Sequence, residues 1–276
     1  MFRAELLKMT TVGATKVAAA VGVLGLLTTQ LVFVWLLPAL SSGAIVIDGE
    51  PGIAAELGGV FDRASFEFQY SALSLLGGGA SAGSLGFSVI AVLAIGVLAA
   101  TTDYRFGGIV GAALASPRRG RILGGKISAT VVVTAATAVA YAIVSVGVLL
   151  ASTIASGVDL ALGWGDVLSE MSRGIAVLIL LGLLGLAIGV LVRSQLAGFL
   201  ILIGLVVIEP IMHAVLQIVG GAPIWAQFLP LALAQASLAD PGSGAVLSPV
   251  IALVAFVAIV GAALTAAWVA LRRRDF

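Results

Sequence analysis

Six stretches of the chain consist almost entirely of apolar residues, and each is long enough to cross a bilayer as a helix. An α-helix rises about 1.5 Å per residue, so about 20 apolar residues span the hydrocarbon layer. To within a few residues at each end, the stretches are Val17 to Leu40, Ser81 to Ala100, Ile127 to Ile154, Gly174 to Val192, Leu196 to Val219 and Leu247 to Ala270. This pattern predicts an all-α, polytopic membrane protein whose residues 1–276 form one domain with six transmembrane helices.

Basic residues occupy alternate connecting segments. They precede the first span (Arg3, Lys8, Lys16), separate the second from the third (Arg105, Arg118, Arg119, Arg121, Lys126) and the fourth from the fifth (Arg193), and follow the sixth (Arg272, Arg273, Arg274). These segments hold 12 of the 14 lysines and arginines, whereas acidic residues are common in the other segments. The positive-inside rule therefore predicts that both termini face the cytoplasm of a multi-pass cell-membrane protein.

Composition excludes several kinds of chemistry. The chain is 61% hydrophobic and 10% charged, whereas a soluble domain carries about a quarter charged residues. It has no cysteine and a single histidine, which excludes disulfides, thiolate metal sites and a cysteine nucleophile. We expect no catalytic residues, no metal site and no nucleic-acid partner.

A glycine-rich run, Gly120 to Lys126, matches most of a phosphate-binding loop. Ile127 occupies the position of the magnesium-binding Ser or Thr. The phosphate-binding pattern also requires a strand before the glycine-rich run, but no strand precedes this one, and a membrane span follows it. We expect no nucleotide cofactor in this chain, so any ATP and Mg must be bound by another subunit.

Two further segments are predicted to be more than simple connectors. In residues 1–16, the apolar residues Phe2, Leu6, Met9 and Val12 recur at helical spacing, which favours a helix lying along the inner membrane surface over a frayed basic tail. The outer segment, residues 41–80, is too long for a bare turn, and we expect partial structure packed on the outer ends of the spans.

The polar residue of greatest interest within a span is Glu209, which Pro210 follows directly. A carboxylate at that depth costs several kcal/mol unless it is paired, neutralised or hydrated. His213 lies four residues later on the same helical face and could donate a hydrogen bond to it. Two interpretations remain open: a structural pair at a proline kink, or a polar spot on the substrate path or outer gate.

Three glycines, Gly182, Gly185 and Gly189, form a stripe on the fourth span. Small residues at this spacing allow close contact between helices. We interpret the stripe as internal packing.

Residues 101–126 are predicted to form a cytoplasmic coupling segment. A short helix from about Asp103 to Ala115 would lie near the membrane with Tyr104 and Arg105 exposed, and Pro117 would end it before a basic cluster. Anchoring to anionic lipid explains the basic residues but not the Asp-Tyr-Arg sequence at the start.

This segment resembles the inner loop of bacterial type-2 (ABC-2) permease subunits of ATP-binding-cassette (ABC) exporters. The resemblance rests on Thr102-Asp103-Tyr104-Arg105, on Leu114-Ala115-Ser116-Pro117-Arg118-Arg119 and on Lys126. Arg3 to Lys8, Glu209-Pro210 and Arg272 to Asp275 are also similar to the family. The family usually has Glu at the position of Asp103, and commonly His and then Gly-Thr at Phe106-Gly107-Gly108.

The resemblance implies two permeases, either two copies or a copy and a homologue, around a central path, with two cytoplasmic ATPases that bind ATP and Mg. It further implies that these ATPases contact the coupling segment through Asp103, Tyr104, Arg105, Phe106, Pro117, Arg118 and Arg119. Glu209 and His213 would line the substrate path or a gate.

The residues themselves leave other functions open. One is a proton- or cation-coupled secondary transporter or a channel that uses Glu209 and His213. Another is a membrane scaffold without transport activity. Drug, antimicrobial peptide, lipid and small ion are all compatible with the sequence as substrates.

Overall fold

Helices account for all the regular secondary structure in the described part of the chain. The computed structural model describes residues 1–41, 61–77, 86–105, 119–221, 223–240 and 246–273. Its helices are α1 (Phe2–Thr11), α2 (Gly13–Ser41, with a π-helical turn at Leu31–Leu36), α3 (Phe66–Ala72), α4 (Phe87–Arg105), α5 (Arg119–Ser156), α6 (Trp164–Val192), α7 (Gln195–Val219), α8 (Pro230–Ser237) and α9 (Pro249–Arg273). Six of them, α2, α4, α5, α6, α7 and α9, are long and apolar enough to cross a membrane, which confirms the predicted all-α, six-span fold.

The helices differ from the predicted spans mainly at their ends. Helix α6 begins at Trp164, ten residues before the predicted start at Gly174, and α5 begins at Arg119 instead of Ile127. The predicted ends of the spans were placed at the ends of the apolar runs. A helix can extend beyond such a run where its polar residues form hydrogen bonds. At the start of α6, for example, the Gly163 amide donates to Asp166 Oδ2 over 3.1 Å.

Helices α4 and α6 form the centre of the bundle. In the most apolar window of α4, 78% of residues are buried, compared with 17% for α7 at the periphery. The backbones of α4 and α6 touch: a Cβ at Gly96 would lie 2.0 Å from the Gly182 carbonyl oxygen, and one at Gly185 would lie 2.2 Å from that of Leu93. The predicted role of the glycine stripe in internal packing is therefore confirmed.

The basic segments meet at one end of the bundle, which we call the basic end. Met1 packs on Gly125 at the start of α5, and Gly120 lies beside the Trp268 indole near the end of α9. The Arg193 guanidinium, in the turn between α6 and α7, lies over the Tyr104 ring at the end of α4. That this end faces the cytoplasm stays a prediction from the positive-inside rule.

The outer segment is partly structured, as expected, within its described residues 61–77. Gln69, which is fully buried, donates to the Asp159 carbonyl over 3.1 Å and accepts from the Ala161 amide over 2.8 Å. Gln30 of α2 donates to the Ala72 carbonyl over 2.8 Å and to Ser145 Oγ over 3.1 Å. These bonds hold α3 on the ends of the spans opposite the basic end. Residues 42–60 and 78–80 of the predicted segment lie outside the described residues.

Candidate coupling site at the basic end

Four charged side chains form a compact cluster at the basic end. Glu5 and Lys8 come from α1, Asp103 from the last turns of α4, and Lys126 from the second turn of α5. Lys8 Nζ lies 2.8 Å from Glu5 Oε2 and 2.6 Å from Asp103 Oδ1. Lys126 Nζ lies 3.2 Å from Glu5 Oε2 and also contacts Asp103 Oδ2. Each lysine therefore bridges both carboxylates, and the four charges sum to zero.

The cluster is buried, and Lys126 is its most enclosed member. Glu5 and Asp103 are 7% exposed and Lys126 is 3% exposed. The ammonium of Lys126 donates to the Ala99 carbonyl over 3.1 Å in addition to the two carboxylates, so all three of its protons have acceptors. A charge removed from water at this depth is tolerated only with such complete pairing.

Lys8 is the most exposed member, and its titration reflects the two carboxylates. Burial lowers the pKa of Lys8, but the hydrogen bonds to Asp103 and Glu5 and their negative charges outweigh it. The net result is a pKa of Lys8 raised above its usual value of 10.5. Lys8 therefore stays charged at physiological pH and keeps α1 attached to α4.

This arrangement corrects two expectations about the coupling segment. Asp103 does not begin a separate helix, because α4 continues through it to Arg105, and its carboxylate is buried in the cluster. Tyr104 is half-buried instead of exposed, with the Arg193 guanidinium carbon 5.5 Å from its ring centroid. Of the other predicted contact residues, Arg105 ends α4 and Arg119 begins α5, with side chains that are not described; Phe106, Pro117 and Arg118 lie outside the described residues.

Three members of the cluster, Glu5, Lys8 and Lys126, were not predicted to act together. The amino-terminal helix is confirmed over Phe2–Thr11, but its buried face contains Glu5 beside Met9. Lys126 directly precedes the apolar run that begins at Ile127, so its position in the sequence does not show that its ammonium is buried beside an acid.

The second predicted site, Glu209 and His213, holds the connection between α7 and α9. Glu209 is 5% exposed, and its Oε1 accepts from the Ala232 amide in the first turn of α8 over 2.7 Å. His213 Nε2 donates to the Ala226 carbonyl over 2.8 Å. In the described residues the two side chains do not bond to each other, so the expected Glu209–His213 hydrogen bond is not formed. Each instead binds the backbone of the connecting segment.

Helix α8 also has a charged partner at its other end. Arg173 of α6 donates to the Ser237 carbonyl over 3.5 Å and pairs with Glu170 Oε2 at 2.9 Å. A carboxylate at the amino end of α8 and a guanidinium at its carboxyl end both complement the helix dipole. Nothing in the sequence around Arg173 indicated this role.

Glu170 links the Arg173 guanidinium to α3, since Tyr70 Oη donates to Glu170 Oε2 over 2.7 Å. Burial, followed by the charge of Glu170, raises the pKa of Tyr70 well above its usual value. Tyr70 therefore remains a hydrogen-bond donor throughout the physiological pH range.

No protein-family model matches this chain, and no curated protein matches it in sequence. The similarity to type-2 exporter permeases therefore depends on the motifs quoted above. The structure itself shows a polytopic helical protein with six membrane-length apolar helices.

Proposed function

We propose that this chain is the transmembrane permease subunit of an ATP-driven ABC exporter. A second permease, either a second copy or a homologue, completes the substrate path, and two separate ATPase subunits bind ATP and Mg. The observation that carries the proposal is the four-charge cluster of Glu5, Lys8, Asp103 and Lys126. It joins α1 to the two helices, α4 and α5, that flank residues 106–118.

The cluster suits a mechanical role. A force applied by an ATPase at residues 106–118 reaches the bundle through the adjoining ends of α4 and α5. Because the ion pairs tie these ends together, the two helices respond as one body. Helix α4 also packs along α6 in the centre of the bundle, so its displacement reaches the interior directly.

The first test is purification from native membranes under mild conditions, followed by identification of bound subunits and measurement of ATP hydrolysis. We expect an ABC ATPase to co-purify. Arg105 and Phe106 are the residues to change in a contact test, since replacing Asp103 also breaks the buried cluster. Replacing Arg105 and Phe106 together with Ala should weaken ATPase binding. Lys16 is an exposed lysine at the same end, and Lys16→Ala should leave that binding unchanged. A permease that transports without any ATPase would refute the proposal.

One observation favours a second function, a proton- or cation-coupled transporter. Glu209 Oε2 is buried and has no hydrogen-bond partner among the described residues. Such an oxygen could take up a proton or contact a cation. Transport into sealed vesicles, with and without ATP and an imposed pH gradient, separates the two functions. The exporter requires ATP even with Glu209→Gln, whereas gradient-driven transport that this variant abolishes would establish the coupled carrier.

A further inference from the structure

The glycine-rich run from Gly120 to Lys126 is part of α5 and does not form a loop. A helical backbone cannot curl around a nucleotide phosphate as a phosphate-binding loop does. The run instead gives α5 an exposed face, because Gly120, Arg121 and Gly124 are exposed whereas Gly125 and Lys126 are buried.

This exposed face lies in a groove between α9 and α1, which we call the α5 groove. On the α9 side, a Cβ at Gly120 would lie 3.7 Å from Nε1 of Trp268, and on the α1 side, one at Gly125 would lie 3.1 Å from Cβ of Met1. Because successive residues are about 100° apart around a helix, Gly124 points between these two contacts. A Cβ at Gly124 would meet nothing within 4 Å, so the floor of the groove is open.

Two hydrogen-bond donors at the α5 groove are available to a ligand. Arg121 points between α9 and α1 and is exposed, and its guanidinium has no hydrogen bond or ion pair with the part of the chain that the structure describes. Trp268 is 38% exposed, and its Nε1 likewise donates to none of the described residues. The Arg272 guanidinium carbon lies 4.7 Å from the Trp268 ring centroid and holds the indole in place.

These donors suit a phosphate. The planar guanidinium of arginine can give a phosphate two parallel hydrogen bonds, and the indole N–H can give a third. The residues that define the groove, Gly120, Arg121, Gly124, Trp268 and Met1, include no acid that would repel an anion.

The groove lies at the depth of lipid headgroups and continues into an apolar surface. At 1.5 Å per residue, Arg121 is about 9 Å along the helix axis before Ile127, where the apolar run of α5 begins. Val132 and Val139 are 44% and 45% exposed. Both lie close to a whole number of helical turns from Arg121, so they share its face of α5. A ligand that follows this face has an anionic head and an apolar tail.

We propose that the α5 groove binds the headgroup of an anionic phospholipid, whose phosphate accepts hydrogen bonds from Arg121 and Trp268 and whose acyl chain lies along Val132 and Val139. The lipid bridges α5 and α9 at the basic end. This inference is independent of the transport function, because it requires only that the chain lie in a bilayer.

The test uses the purified full-length chain, titrated separately with phosphatidylglycerol and phosphatidylcholine, with bound lipid counted by native mass spectrometry. We expect the chain to prefer phosphatidylglycerol by about fivefold, the effect of one basic residue at an anionic surface. Arg121→Gln should abolish the preference. Arg3→Gln is the matched control, because Arg3 is exposed at the same end but lies on the face of α1 opposite Glu5, which contacts α5.

Two further variants test the other parts of the groove. Trp268→Phe keeps an aromatic ring but removes the indole N–H, and both lipids carry a phosphate, so it should weaken the binding of both by about threefold and leave the preference unchanged. Gly124→Glu adds a negative charge to the floor. The open space at Gly124 accommodates the new side chain, and Glu favours a helix more than Gly does. This variant should fold and should abolish the preference.

Four results would overturn the proposal. A preference that survives Arg121→Gln or Gly124→Glu would place the lipid elsewhere. Unchanged binding of both lipids by Trp268→Phe would remove the indole from the site. An equal loss of preference with Arg3→Gln would indicate only general attraction to surface charge. Displacement of phosphatidylglycerol by an equal concentration of inorganic phosphate would indicate a site for a soluble anion.

Discussion

Removing the ammonium of Lys126 should destabilise the protein much more than removing that of Lys8, the other lysine of the four-charge cluster. Lys126→Met keeps an unbranched apolar side chain but leaves the carboxylates of Glu5 and Asp103 with one lysine between them. It also removes the donor to the Ala99 carbonyl. Because Lys126 is 3% exposed, water cannot readily replace these bonds.

The structure sets the expected size of the effect. Breaking a buried ion pair by removing one partner costs about 3–5 kcal/mol, since the remaining charge is left uncompensated. The Lys8 side chain is 25% exposed, so Lys8→Met should cost only about 1 kcal/mol. Lys126→Met combined with Asp103→Leu leaves a neutral Glu5–Lys8 pair. The double variant should therefore be about 1–3 kcal/mol more stable than the sum of the single changes implies.

The measurement is reversible unfolding of the purified protein in mixed micelles, with helicity as the signal. Lys16→Met, at an exposed lysine of the same end, is the control and should change stability by less than about 0.5 kcal/mol. If Lys126→Met is no more destabilising than Lys16→Met, or if the double variant is additive, the cluster does not join these helices.

Three further outcomes follow from the structure. Because the folded-state pKa of Lys8 is raised, the stability it contributes is present below pH 10.5 and is lost as pH rises through the higher folded pKa. Unfolding measured at increasing alkaline pH should show this loss in the wild type but not in Lys8→Met. Glu209→Leu removes the acceptor for the half-buried Ala232 amide of α8 and should cost about 1 kcal/mol in the unfolding assay, whereas Glu209→Gln keeps an acceptor and should cost less. Gly185→Ala forces a Cβ to 2.2 Å from a backbone oxygen and should reduce the yield of folded protein, whereas Gly147→Ala, with open space, should not.

The number and approximate positions of the spans could be predicted from sequence because crossing a bilayer depends on local properties. A run of about 20 apolar residues must form its hydrogen bonds internally, whatever the rest of the chain does. The alternation of basic and acidic segments then predicted which connections share an end of the bundle. The contacts of Met1 with Gly125 and of Tyr104 with Arg193 agree with that grouping.

The partners of the polar side chains were decided only by the tertiary structure. Sequence proximity paired Glu209 with His213, four residues away, but the folded chain brings the amide of Ala232 to the carboxylate instead. Lys126 finds Glu5, 121 residues earlier, because α1 folds back onto α5. A charge that is buried in the folded protein must find its partner within the chain, because the hydrocarbon of the bilayer has no group that can pair with it. Which partner it has depends on how the helices pack, and that involves the whole chain at once.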